Sequence, residues 1–191
     1  MLVLILGLIL FLGAHSVRIW NEGLRDRLIA ERGAGVWKGI YSIVSILGFV
    51  LIVWGYGLAR EAPIPIWEPP IWTRHLALLL NGAAFALVAL NGSKGPVRAA
   101  VGHPMILGVK VWAFAHLISN GTLADIILFG SFLVWAVADY AAARRRDKRQ
   151  GVTYMAGPWR PELIRMGVGL AIWLAFILFL HQWLIGVAPL G

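Results

Sequence analysis

The sequence predicts an all-α integral membrane protein, a bundle of about six transmembrane helices with both termini outside, and three observations carry that prediction. Of 191 residues, 60% are apolar and only 14% charged, a composition far from that of an ordinary soluble domain. Six stretches approach or exceed the roughly 20 apolar residues that a helix needs to cross the hydrocarbon core. The 17 Lys and Arg residues are confined almost entirely to alternate connections, the asymmetry that orients a multi-span protein.

The expected spans are 2–20, 36–58, 71–91, 104–120, 122–142 and 166–186, bounded by Gly, Pro, Asn or charge clusters, within a single domain of residues 1–191. The first, MLVLILGLILFLGAHSVRIW, has no basic region ahead of its apolar core and no small-x-small cleavage site behind it, so it is read as a mature helix. The stretch 21–35 places Leu24, Leu28 and Ile29 at helical spacing with charges opposite, which fits a short interfacial helix. The 59–70 segment AREAPIPIWEPP is Pro-rich and is expected to lie rigidly over the outer face. His103 and Pro104 after Gly102 read as a helix start.

Orientation follows from charge. Arg18, Arg25, Arg27, Arg32 and Lys38 flank the first connection; Lys94, Arg98 and Lys110 belong to the next basic end; Arg144, Arg145, Arg146, Lys148, Arg149, Arg160 and Arg165 join the last two spans. Only Arg60 and Arg74 fall on the other side, a split of 15 to 2. The rule places 21–35, 92–103 and 143–165 in the cytoplasm of a cell with this chain in its inner membrane. Trp20, Trp37 and Trp159 then lie at the inner interface, and Trp54, Trp67, Trp72 and Trp183 at the outer one. The net charge of +8 is an orientation signal with some attraction to anionic membrane lipids, and no nucleic-acid partner is expected.

The chain has no cysteine. Disulfides, thiolate metal sites, iron–sulfur clusters, covalent haem attachment and a cysteine nucleophile are excluded together. No Gly-rich phosphate loop, HExxH, paired intramembrane carboxylates or Ser–His–Asp arrangement can be assembled either. Polar groups inside the bilayer are costly and so point to function. They are His15, His75, Asn81, His103, Lys110, His116, Asp125, Asp139 and His181.

His15 and His116 stand out because both lie within apolar stretches, without an adjacent acid. Two neutral imidazoles from different helices suit a bis-His site for haem b, while the bland alternative is an interhelical hydrogen bond. Trp112, His116 and Asn120, spaced by four, share one helix face, and His103 falls roughly 220° away from His116 around the same helix. Arg18, one turn from His15, could hold a haem propionate, as could Arg74 with His75 at the outer rim.

GAHSVR at 13–18 and GHPMILGVKVWAFAHLISNG at 102–121 resemble the two signature blocks of the NnrU family, bacterial multi-span proteins associated with denitrification and nitric oxide metabolism. The same domain forms the membrane part of the plant 15-cis-zeta-carotene isomerases, which carry haem b. That resemblance implies axial ligands at His15 and His116, with His75 and His103 matching further histidines of the domain. It also implies a redox partner or a hydrophobic, carotenoid-like lipid substrate. One position departs from the isomerases: their Cys three residues before the second ligand is Ala113 here, so ligand switching through a thiolate is not available. A more distant likeness joins GHPMILG to the Arg-His-Pro-x-Tyr-x-Gly block with which isoprenylcysteine and phospholipid methyltransferases bind S-adenosylmethionine. His103, Pro104 and Gly108 are kept, but the Arg, the Tyr and the C-terminal acidic pair are not. Two other classes therefore stand beside a haem protein: an accessory protein without cofactor and a methyltransferase-type enzyme.

Overall fold

A computed structural model describes residues 1–190. In chain order the helices are α1 (Leu2–Trp20), α2 (Glu22–Arg32), α3 (Ala34–Glu61), α4 (Ile71–Ala89), α5 (Pro96–Val101), α6 (Pro104–Ser119), α7 (Leu123–Arg149) and α8 (Trp159–Ala175). After α8 the same rod continues as a π-helical segment, Phe176–Leu180, and ends in α9 (His181–Ile185). Five helical rods, α1, α3, α4, α7 and Trp159–Ile185, are long and apolar enough to cross a membrane. The chain is thus an all-helical, membrane-embedded protein; β-pairing among the described residues amounts to one isolated bridge, between Pro65 and Thr122.

The second expected span is longer, running from Ala34 to Glu61 and taking in the first residues of the expected 59–70 loop, and the third ends at Ala89; three further features of the spans have a clear physical reason. The fourth expected span is a helix of only 16 residues, about 24 Å at 1.5 Å per residue and short of a hydrocarbon core of about 30 Å. Asn120 already has extended backbone, so His116 lies in the last helical turn rather than deep within a span. The fifth helix runs on from 142 to Arg149, because Ala and Arg are strong helix formers and cations suit a helix C-terminus. The sixth begins at Trp159 rather than 166: Pro158 stands at the N-cap and Pro161 in the first turn, where a missing N–H costs nothing. The short helix expected in 21–35 is present as α2, capped by the Asn21 side chain, which accepts from Leu24 N–H at 2.9 Å.

The chain divides into two compact units, residues 1–67 with 121–139 and residues 68–120 with 140–191. In the first, α1 packs along α3 at sites where only glycine fits: a Cβ at Gly7 would lie 2.6 Å from Ile52 N, and one at Gly48 the same distance from Phe11 N. Small residues that let helix backbones meet are the usual basis of helix association in lipid. The 62–67 segment is held by Gly121, whose carbonyl accepts from Ile66 and Trp67, and by Leu123 N–H donating to Ile64 O at 2.8 Å. Asp125 closes the start of α7: its Oδ2 accepts from Thr122 N–H and hydroxyl, and its Oδ1 from Tyr56 at 2.6 Å.

In the second unit α4 packs against both α6 and α8. Glycine again permits the approach, with a Cβ at Gly108 reaching 2.8 Å from Ala84 O and one at Gly169 reaching 2.7 Å from Phe85 O. Trp159–Ile185 is the most lipid-like rod, with only 6% of its most apolar window buried within the chain.

Candidate functional site

His15 is half-buried on α1 in the first unit. Its Nδ1 lies 2.7 Å from Phe11 O, one turn earlier. A carbonyl only accepts, so Nδ1 carries a proton and Nε2 is the nitrogen that this bond leaves over. The imidazole stacks on Phe11 with ring centroids 4.2 Å apart, and Tyr41 and Trp135 stand at 5.1 and 6.0 Å. The ring is therefore oriented from two sides, by a hydrogen bond and by an aromatic box.

Beside it lies a cavity of 180 Å³ lined by Ala14, His15, Val17, Arg18, Arg25, Trp37 and Tyr41. Arg18 was expected to share a face with His15, and both line this space. Arg25 enters from α2, a contribution the sequence did not single out because 21–35 read only as a membrane-surface helix. Trp135 Nε1 is buried with no hydrogen-bond acceptor among the described residues.

His116 repeats the same local device in the second unit. Its Nδ1 is 2.9 Å from Trp112 O, so Nδ1 again carries a proton. Trp112 also touches it ring to ring, with centroids 5.2 Å apart. Asn120, the C-cap, turns back to donate from Nδ2 to His116 O at 2.9 Å. Ala113, the position of the missing thiol, is fully buried.

His103 is held differently. Its Nε2 lies 2.8 Å from Asp147 Oδ2, and Tyr154 donates its hydroxyl to the same oxygen at 3.0 Å. Arg144 stands 3.7 Å from that carboxylate. Arg98 lies over the Tyr154 ring at 5.1 Å and donates from Nε to Gly102 O at 2.9 Å. Burial, and then the hydrogen bond to Asp147, push the Tyr154 hydroxyl above its usual range, with Arg98 partly opposing. Tyr140 donates to Val101 O at 2.6 Å and lies under Lys110 at 4.9 Å. Next to this node Glu162 is fully buried and accepts from the Ser93 hydroxyl at 2.7 Å, Val97 N–H at 2.8 Å and Arg98 N–H at 3.0 Å.

The structure thus groups His15 with Arg18, and His116 with Trp112 and Asn120. It places His103 in a separate node with Asp147, while Arg74 and His75 are exposed in the first turn of α4. Asp147, Tyr154 and Glu162 were missed from sequence. Asp147 is a lone acid in a basic run, and Glu162 precedes the expected start of the last span, so neither position drew notice. Among the described residues no three His, Cys, Asp or Glu side chains cluster as metal ligands, which leaves paired or single histidines as the donors available.

No curated protein and no solved structure matches the chain. The model of the NnrU protein family matches residues 3–189, taking in both histidine-bearing blocks, and the chain belongs to that family.

Proposed function

We propose that this protein is a haem b-binding membrane protein of the bacterial inner membrane, with His15 and His116 as the histidines that would hold the iron. The observation that carries the reading is the shared device at the two histidines. Each donates Nδ1–H to the carbonyl one turn before it, which fixes the tautomer, orients the ring and raises the basicity of the nitrogen that would bind iron.

The surroundings of His15 fit the rest of the group. Arg18 and Arg25 line the cavity and are the cations that would meet carboxylates there, Arg25 exchanging its present partner Asp26, 2.9 Å away; the aromatic rings of Phe11, Tyr41 and Trp135 suit a planar macrocycle, and the buried Trp135 N–H offers a donor. At 180 Å³ the cavity is smaller than the roughly 300–1,000 Å³ of pockets that enclose a whole drug-sized ligand, so it would hold only part of the group. Haem held by two imidazoles supplies a one-electron couple. Family membership supports a role in nitric oxide or nitrite-linked redox physiology, with a redox partner or an apolar, carotenoid-like lipid as the second reactant. The missing thiol at Ala113 favours electron transfer over isomerisation.

Absorption spectroscopy of protein purified from haem-replete membranes tests this. A Soret band is expected, with loss of most of it in both His15→Ala and His116→Ala; a wild-type spectrum without the band contradicts haem binding.

A further inference from the structure

Asn81 is an amide in the middle of α4, the one polar side chain beyond the Thr73–His75 start of that helix, and nothing in the haem reading uses it. Its Nδ2 donates to Ala77 O at 2.8 Å. Since only the NH₂ group can face a carbonyl, the amide orientation is fixed and Oδ1 is turned elsewhere. Oδ1 is buried and has no donor among the described residues.

The neighbouring helix carries the complementary vacancy. Trp173 Nε1, which can only donate, is also buried without a partner. The two groups lie at one level of the α4–α8 contact. Gly169 faces Phe85, Ala86 and Ala89, and one turn further along α8 the Trp173 indole covers Gly82, where a Cβ would sit 3.5 Å from the ring. The helices therefore run antiparallel, and Asn81 is the residue next to the one that Trp173 covers. Beyond Trp173 the rod turns π-helical over 176–180, a winding often found beside functional sites, and Phe176 meets Phe85 at 5.8 Å.

Buried polar groups are almost always satisfied, and within lipid bulk water cannot do it. A carbonyl or ether oxygen would serve Trp173 but not Asn81. A further N–H would serve Asn81 but not Trp173. One hydroxyl group serves both, accepting from the indole and donating to the amide oxygen. We propose that a hydroxyl, from a bound water or from an apolar alcohol of the bilayer, bridges Trp173 Nε1 and Asn81 Oδ1 at the α4–α8 contact. The site uses neither His15 nor His116.

Indole-¹⁵N labelling of the full chain in lipid nanodiscs, with Trp173 assigned by Trp173→Phe, reads the proposed bond. The wild-type Trp173 indole proton should resonate as hydrogen-bonded and move upfield in Asn81→Leu. Asn81→Ala, the smaller change, should shift it the same way if the Leu variant does not fold. Cross-relaxation with water identifies water as the source, whereas a response to an added long-chain alcohol, absent in the Asn81 variants, identifies a membrane alcohol. The folded Asn81 variants should also lose about 3 °C in Tm. An indole proton already free in the wild type, one unmoved by both substitutions, or an Asn81→Leu protein more stable than wild type overturns the proposal.

Discussion

His15 and His103 are both half-buried histidines, yet the chain uses opposite nitrogens to hold them. At His15 the backbone takes Nδ1–H, and the ring lies next to a cavity that Arg18 and Arg25 also line. At His103, the N-cap residue of α6, a carboxylate takes Nε2, and a tyrosine and two arginines close around the pair. Each ring engages one nitrogen: at His15 the one left over, Nε2, lies beside a cavity, whereas at His103 the engaged Nε2 ties α6, α7 and the 150–158 segment together through Asp147 and Tyr154. What the engaged nitrogen meets, a backbone carbonyl of the same helix or a carboxylate of a distant segment, thus separates the histidine proposed as a ligand from the one that braces the fold.

The largest effect that could break this contrast is spectral. His15→Ala and His116→Ala should each cut the Soret absorbance per protein by at least about tenfold, while His103→Ala should leave the band near wild type and lower Tm instead, as read by parallel absorption and thermal unfolding. Next is the buried carboxylate beside the brace. Glu162→Ala strands the Ser93 hydroxyl and two backbone N–H groups, and should cost about 2–4 kcal/mol by denaturant titration. Asp147→Asn keeps the shape of the node but removes its charge, and should cost a smaller amount, about 1–2 kcal/mol, because the pair is 22% and 14% exposed. Arg25→Gln should weaken haem retention about threefold to tenfold by haem transfer to an apo-acceptor, and more weakly for the propionate dimethyl ester.

The smallest effect is alkaline. With its folded value raised, Tyr154 contributes stability that is complete below about pH 10, the ordinary tyrosine range, and is lost as pH rises through the folded value. The unfolding midpoint against pH should therefore fall less steeply above pH 10 in Tyr154→Phe than in wild type; equal slopes would remove Tyr154 from the brace.

The sequence made the membrane class, the short helix α2 and the helix start at Pro104 legible, because hydropathy length, amphipathic spacing and Pro at the first turn are local signals. The ends of α7 and α8 were not legible, since a charged helix can run past the bilayer and the composition of the span does not mark where it stops. His15 and His116 could be picked out as polar residues in apolar surroundings. Their tautomers could not, because those depend on which carbonyl each ring meets. Arg25, Asp147 and Glu162 sit in ordinary charged connections and gain meaning only when distant segments meet: Glu162 reaches back to Ser93, and Asp147 to His103. The pairing of Asn81 with Trp173 was hidden for the same reason, since it arises from the register of α4 on α8.

The most direct test of the contrast is the haem-to-protein ratio, by pyridine haemochromogen assay, of His15→Ala and His103→Ala proteins prepared side by side from haem-replete membranes. The account predicts a ratio near zero for His15→Ala and near the wild-type value for folded His103→Ala. Equal ratios in the two variants, or a loss confined to His103→Ala, would contradict it.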